Sequence, residues 1–234
     1  MNRTSHDANA YERPDERLTS ALRRVIALRA KLKDDAATAE RWRSVKAWQA
    51  NRLRQTYADL LATPRYNAAS EFFLAELYGE KDFEQRDREA LRIVSKLAKL
   101  LPHRAIETLA AGVELDELSE ILDERVARAL VLPIDAARYA AAYRTAGTPE
   151  ERAHQIEMVD RIGHALDRLA RLPMLAGLLH MMRAPAERAG LGHLHNFLVN
   201  GFDSFRAMGS AKEFLETIQS RETALMQKLF AGGQ

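Results

Sequence analysis

Cysteine is absent from the 234 residues of this chain, which excludes disulfide frameworks, thiolate zinc sites and cysteine nucleophiles. Long apolar runs are missing as well. The longest stretches without Asp, Glu, Lys or Arg, 172–182 and 189–202, fall short of the roughly 18 to 20 apolar residues that a membrane span needs. Residues 1–15 mix charges and lack the apolar segment of a signal peptide. We therefore expect a cytoplasmic protein that does not enter a membrane.

Glycine and proline are scarce, with 11 and 7 residues, and they fall mostly between segments whose apolar residues recur with helical spacing. No segment alternates apolar and polar residues between turn signals, as a β-hairpin would. The pattern predicts an all-α fold, an irregular multi-helix bundle of about nine to ten helices. We expect a disordered leader at 1–16, a single helical domain at 17–230, and a helix boundary at Gly112.

Three places in the sequence have the spacing of a helix start. Residues 148–151 read Thr-Pro-Glu-Glu, with a threonine N-cap, a proline at the first helical position and a glutamate three residues after the cap. Ser210 with Glu213, and Asp82 with Gln85, have the same separation between a cap residue and a glutamate or glutamine. We expect a capping box at each place, in which each of the two side chains accepts the other residue's backbone N–H.

One segment carries a recognisable motif. Residues 71–87 read EFFLAELYGEKDFEQRD, and this segment resembles the signature of a bacterial family named for its "FFLEELY motif". The segments 106–120, 190–209 and 214–222 are similar to that family as well. The resemblance implies a helical fold and a bacterial source, and it transfers no catalytic or binding residue. Ala75 stands where the family name has glutamate, which argues against a required carboxylate at that position.

The motif itself has two physical interpretations. Phe73 and its neighbours are spaced to pack as aromatic core in a helix–turn–helix corner, an arrangement that accounts for most of the segment. Alternatively, Glu76, Tyr78, Arg86 and Asp87 face a groove and hold a polar ligand. The sequence favours the structural interpretation and leaves the second open.

Seven histidines raise the question of a metal or haem. Glu151 and His154 have the Glu-x-x-His spacing of di-metal bundles, but Glu151 already belongs to a capping box and no second such motif occurs. His193 and His195 point to opposite sides of a helix. His180 lies in a Met- and Leu-rich segment and is either a haem axial ligand or, as we favour, a histidine bonded to a backbone carbonyl. We predict no bound metal and no cofactor.

Three glycines lie inside segments with helical spacing, at Gly163, Gly177 and Gly201, where each costs about 1 kcal/mol relative to alanine. Close packing between helices is the ordinary reason for such glycines, and the sequence favours it. The alternative is a cavity for an apolar small molecule. That cavity would lie near Ile162, Leu178, Phe197 and Phe205.

Charge is distributed unevenly along the chain. Residues 17–58 contain eleven Lys or Arg and three Asp or Glu, and both tryptophans lie there. The basic residues suited to contact phosphate groups are Arg41, Arg43, Lys46, Arg52 and Arg54. One interpretation is a nucleic-acid-binding surface. The other is that these residues face solvent or pair with acidic helices of the same molecule. No standard DNA- or RNA-binding signature occurs, which disfavours nucleic acid as the partner.

The motifs of common enzyme classes are missing. No G-x-S-x-G, P-loop, dinucleotide-binding or H-E-x-x-H pattern occurs, and we assign no catalytic residue. The sequence favours a non-enzymatic binding or regulatory module that presents a helical surface or a hydrophobic pocket to a protein partner or a small apolar ligand. The candidate ligand-binding residues are Glu76, Tyr78, Arg86, His180, His193 and Phe197.

Two other functions remain open. One is a helical enzyme or a sensor of haem or an apolar molecule, with a pocket near His180 and 190–205. The other is an accessory nucleic-acid binder that uses the basic residues of 17–58. The sequence leaves the oligomeric state open, a homodimer included.

Overall fold

The computed structural model describes residues 13–77 and 83–232. Within these residues the chain forms twelve α-helices and no strand, which confirms the all-α prediction. The helices are α1 (Pro14–Asp34), α2 (Ala36–Thr56), α3 (Ala58–Ala62), α4 (Pro64–Leu77), α5 (Phe83–Leu100), α6 (His103–Ala129), α7 (Ala136–Ala146), α8 (Pro149–Ala170), α9 (Pro173–Met181), α10 (Arg183–Arg188), α11 (Gly192–Met208) and α12 (Lys212–Phe230).

The number of helices is close to the predicted nine or ten. Two of the helices in the described part, α3 and α10, have five and six residues, too few to show a period in the sequence. Helix α6, by contrast, runs unbroken for 27 residues through Gly112, so the boundary predicted there is wrong. A helical glycine costs only about 1 kcal/mol, and α6 offsets this cost by packing on α1, α2, α7 and α8.

Helix α1 begins at Pro14, inside the leader that the sequence predicts for 1–16. Proline is tolerated there because the first N–H groups of a helix have no intrahelical partner. Residues 1–12 lie outside the described residues, so the rest of the leader, like the single domain, stays a prediction. None of the described helices is both long enough and apolar enough to span a membrane.

The start of α8 confirms one capping box. The N–H of Glu151 donates to Thr148 Oγ1 at 3.2 Å, and the N–H of Thr148 donates to Glu151 Oε2 at 3.0 Å. Pro149 occupies the first helical position, as predicted. The box expected from Asp82 falls on a residue outside the described ranges.

The capping box predicted at Ser210 and Glu213 is wrong. Helix α12 has Ala211 as its N-cap, and Ser210 Oγ accepts a long bond of 3.5 Å from the N–H of Lys212 rather than one from the N–H of Glu213. The N–H of Ala211 donates instead to Asp167 Oδ1 on α8, 3.1 Å away. Glu213 accepts a hydrogen bond from the hydroxyl of Tyr66 at 2.5 Å. A carboxylate from another helix therefore replaces the local cap, which sequence spacing does not reveal.

Aromatic rings hold the centre of the largest core cluster together. Phe205 and Phe214 are almost fully buried, and the ring of Phe73 lies 5.9 Å from each of theirs, centroid to centroid. Phe73 belongs to the motif segment, so that segment fastens α4 onto α11 and α12. The other two clusters pack α2 on α6 and α7, and α1 on α5 and α6.

Two helical glycines allow a neighbouring side chain to come close. A Cβ atom on Gly163 would lie 2.3 Å from Leu215 Cδ2, and one on Gly201 would lie 2.8 Å from Phe72 Cζ. Large side chains fill the space at both positions, as the close-packing interpretation predicts, so these two glycines do not open a cavity. Gly177 has no neighbouring atom within 4 Å of such a Cβ.

Candidate functional site

A buried ionic cluster joins α1, α2, α5 and α6. We define it as Arg29, Lys46, Arg86, Asp87, Asp116, Glu120 and Asp123. Arg29 Nη2 lies 2.8 Å from both carboxylate oxygens of Asp116 and 3.1 Å from Glu120 Oε1. Its Nη1 donates to Asp87. One guanidinium on α1 thus binds carboxylates from two other helices.

The cluster continues towards α2. Glu120 Oε2 accepts the indole N–H of Trp42 at 3.0 Å, and its Oε1 lies 3.4 Å from Lys46 Nζ. Lys46 Nζ lies 2.7 Å from Asp123 Oδ2. Asp123 Oδ1 in turn accepts the amide N–H of Gln49 at 2.8 Å. This last bond fixes which end of the Gln49 amide is nitrogen, so its oxygen points elsewhere.

Burial and charge set the protonation of the cluster. Burial by itself lowers the pKa of Arg29 and Lys46, but the neighbouring carboxylates, first Asp116 for Arg29 and Asp123 for Lys46, outweigh it and raise both pKa values. Burial raises the pKa of Asp87 against the attraction of nearby arginines. Both cations therefore stay charged at neutral pH.

A cavity of about 170 Å³ lies beside the ionic cluster. Residues of α2, α3, α4, α6, α7, α8 and α12 line it, and we call it the central cavity. Most of its wall is apolar. Representative apolar residues of the wall are Leu53, Phe73, Leu74, Val159, Phe214 and Met226. An apolar cavity of about 150 Å³ in another protein is large enough to bind benzene.

Three side chains of this wall have buried polar atoms without a hydrogen-bond partner among the described residues. They are Gln49 Oε1, Ser70 Oγ, and the Nε and Nη2 atoms of Arg152. All three residues line the central cavity and are more than nine-tenths buried. Buried polar groups in folded proteins almost always have hydrogen-bond partners. Three such residues around one cavity therefore indicate that a hydrogen-bonding partner is missing there.

Arg152 is the most unusual of the three. It is 3% exposed, and its Cζ lies 4.3 Å from the ring centroid of Tyr143. Its Nη1 donates to Gln155 Oε1 at 3.1 Å, and Gln155 donates to Ser119 Oγ at 2.8 Å. The described residues give its Nε and Nη2 no acceptor. Arg152 is thus a buried cation held from one side by neutral groups.

The other cations of the cavity wall are paired. Arg52 Nη1 lies 2.6 Å from Glu222 Oε1, which also accepts the hydroxyl of Tyr57 at 2.7 Å. Lys46 is paired with Asp123, as described above. The carboxylates of the wall are therefore already engaged by other cations, whereas Arg152, which also lines the cavity, makes no ion pair within 4 Å among the described side chains.

Phe73 and Leu74 of the motif segment line the central cavity, but Arg86 and Asp87, the described residues of its candidate polar site, do not. Arg86 belongs to the ionic cluster, with Nε 3.0 Å from Asp87 Oδ1 and Cζ 4.7 Å from the ring centroid of Phe197. Phe197 also packs on Phe72, at 5.6 Å between centroids. The side chain of Glu76 and all of Tyr78 lie outside the described residues.

Three histidines, His180, His193 and His195, have hydrogen-bond partners within the molecule. His180 Nδ1 lies 2.9 Å from the carbonyl oxygen of Ala176, the arrangement that the sequence favours, and its side chain is half exposed. His193 is exposed, with Nδ1 2.9 Å from Glu89 Oε1. His195 is buried on the other side of α11. Neither His180 nor His193 lines the central cavity, and no group of three metal-ligating side chains converges within 13–77 and 83–232.

The basic residues of 17–58 have different surroundings. Lys46 and Arg52 line the central cavity and are ion-paired. Arg54 Nη1 lies 3.8 Å from Glu71 Oε2 at the surface, Arg43 is exposed, and Arg41 is partly buried. Two further arginines of this segment pair with acidic residues of α6, through Arg17 with Glu114 and Arg24 with Glu117. Much of the basic charge is therefore matched within the molecule.

Comparison with known proteins adds a family but no activity. No curated protein matches the chain, and no solved structure matches it. One family profile, described as a domain of unknown function (DUF8198), matches residues 28–234. The matched range contains every residue that lines the central cavity and all of the ionic cluster. The chain therefore belongs to the DUF8198 family, a domain family of unknown function.

Proposed function

We propose that this protein is a non-enzymatic binding module that holds a small molecule in the central cavity. The observation that carries the proposal is the coincidence of three buried, unpartnered polar side chains, Gln49, Ser70 and Arg152, on one largely apolar wall. Each unpartnered buried group costs about 1–3 kcal/mol. A ligand with matching polar atoms removes that cost, and the apolar wall adds contact energy.

Binding pockets of this kind combine an apolar surface with a few convergent polar groups. The central cavity has this composition, whereas the residues near His180 make local contacts and belong to a different part of the bundle. The ionic cluster beside the cavity supports the proposal, because its buried ion pairs tie α1, α2, α5 and α6 together and so make that side of the cavity rigid.

Native mass spectrometry of gently purified protein tests the proposal. Gly112 lines the cavity, and a Cβ there meets no atom within 4 Å, so we expect Gly112→Leu to fill part of the space. We expect a retained small molecule on the wild-type protein and none on this variant. Gly177→Leu is the matched control, since this glycine also has open space but does not line the cavity.

Two results would contradict the proposal. In the first, the wild-type protein carries no additional mass and no member of a library of small organic molecules raises its melting temperature. A retained molecule that survives Gly112→Leu would equally contradict binding in the central cavity.

We also propose that the protein acts in a bacterial cytoplasm and that it is one of the "FFLEELY motif" proteins. The resemblance of residues 71–87 to that family supports the source and the kinship, and the lack of cysteine is compatible with a reducing compartment. Immunodetection in fractions of the native cell would test the compartment.

A further inference from the structure

We infer that the ligand of the central cavity is an organic monocarboxylate with a compact hydrocarbon body, and that Arg152 binds its carboxylate. This inference rests on the proposed function and specifies the chemical class of the ligand. It starts from the two free donors of Arg152. Nε and Nη2 are the two nitrogens on one edge of the guanidinium group, and neither has an acceptor among the described residues.

The same edge binds carboxylates elsewhere in this protein. Arg17 donates through Nε and Nη2 to the two oxygens of Glu114, at 3.1 and 2.6 Å. Arg24 donates through the same two nitrogens to Glu117, at 2.6 and 2.9 Å. This paired geometry is the one by which arginine recognises a carboxylate. Arg152 presents the same pair of donors, but in the interior and without a protein carboxylate to receive them.

Charge supports an anionic ligand. The wall of the cavity contains three cations, of which Lys46 and Arg52 each have a carboxylate within 2.7 Å. Arg152 has a hydrogen bond to Gln155, the ring of Tyr143 and a weaker attraction to Glu151, with no ion pair within 4 Å among the described residues. A buried charge without a counterion is costly, and a ligand carboxylate would neutralise this one. One face of the guanidinium lies over the ring of Tyr143, and the unpartnered donors Nε and Nη2 are the groups available to an anion.

The size and the lining of the cavity favour a carboxylate over a phosphate. The 170 Å³ volume holds a molecule of about the size of benzoate. The polar atoms without partners include one acceptor, Gln49 Oε1, which repels a doubly charged anion more strongly than a singly charged one. Phosphate sites commonly offer several converging donors, whereas this wall offers the edge of one guanidinium, the hydroxyl of Ser70 and mostly hydrocarbon.

Matched pairs of probes test the inference on the wild-type protein. Benzoate, cyclohexanecarboxylate and hexanoate would be titrated calorimetrically beside their uncharged amides, which have nearly the same shape. Hydrogen bonds to a charged partner are strong enough that we expect at least one acid to bind roughly tenfold more tightly than its amide, or better. Arg152→Gln should abolish this difference between acid and amide.

Arg161→Gln is the matched control, because Arg161 is also on α8 but lies at the surface near Glu157. We expect it to keep the wild-type preference for acids. If Arg152→Gln fails to fold, the comparison of acids with amides on the wild-type protein still tests whether the cavity prefers a carboxylate. Acids and amides that bind equally well would overturn the carboxylate assignment and leave the proposed function standing.

Two other results would also be decisive. A neutral molecule retained by the purified protein, together with no binding of any of the three acids, would overturn the ligand class alone. The absence of any retained molecule, together with no binding of any acid or amide, would overturn both the ligand class and the proposed function.

Discussion

The guanidinium of Arg152 lies over the ring of Tyr143, with Cζ 4.3 Å from the ring centroid. Burial raises the pKa of Tyr143 to about 12, although the positive charge of Arg152 acts in the opposite direction. The ring therefore remains a neutral phenol at neutral and mildly alkaline pH, and it packs as an aromatic surface under the cation.

This raised pKa predicts how stability depends on alkaline pH. Between pH 10 and 12 the unfolded chain ionises Tyr143 while the folded chain keeps it protonated, so the free energy of unfolding falls as pH rises. The full loss is on the order of 3 kcal/mol. We expect denaturant unfolding to show a shallower decline over this range for Tyr143→Phe than for the wild type. Parallel declines would contradict the assignment.

The contact between Gly163 and Leu215 predicts a costly substitution. A methyl group on Gly163 would lie 2.3 Å from Leu215 Cδ2, and Leu215 is buried and cannot easily move away. We expect Gly163→Ala to destabilise the protein by about 1–3 kcal/mol. Gly177→Ala is the control, with an expected gain of up to about 1 kcal/mol, because its site is open. Thermal denaturation of both variants measures the contrast, and a stabilising Gly163→Ala would refute it.

Arg29 should be far more important for stability than an exposed arginine of the same helix. Arg29→Ala removes the cation that the buried Asp87 and Glu120 share and leaves them only Arg86 and Lys46, and loss of one partner of a buried ion pair costs about 3–5 kcal/mol. Arg24→Ala removes an exposed pair with Glu117 and should cost at most about 1 kcal/mol. Urea unfolding would distinguish the two, and equal losses would show that the cluster is not a stabilising element.

A pair of substitutions at the start of α12 tests which residue caps this helix, Asp167 as in the structure or Ser210 as the sequence predicts. Asp167 accepts the N–H of Ala211 at 3.1 Å, whereas Ser210 Oγ lies 3.5 Å from the N of Lys212. We expect Asp167→Ala to lower the free energy of unfolding by about 1 kcal/mol and Ser210→Ala to change it little. A larger loss of stability for Ser210→Ala than for Asp167→Ala would support the capping box that the sequence predicts.

Local signals in the sequence predicted some of these features correctly. The Thr148 capping box needs only residues within one turn, and it forms as the spacing indicates. The close packing of Gly163 and Gly201 was also expected, because a glycine in a helix needs a compensating contact. Asp167, by contrast, is more than forty residues from the N–H group that it caps, and no local pattern reports such a contact.

The central cavity was not predicted, although one signal for it exists in the sequence. Gln49 lies four residues from both Val45 and Leu53, and Ser70 lies four residues from both Tyr66 and Leu74. Each is a polar residue inside an otherwise apolar stripe and is therefore directed into the core. What spacing cannot show is whether such a residue finds a partner there, since the partner would come from a distant helix.

The contact of Phe72 with Gly201 constrains how this family can vary. The ring occupies the space that a side chain at 201 would need, with Cζ 2.8 Å from the position of a Cβ. In relatives, a larger residue at the position of Gly201 should occur together with a smaller one at the position of Phe72. The two positions should therefore evolve as a pair, even though 128 residues lie between them in the chain.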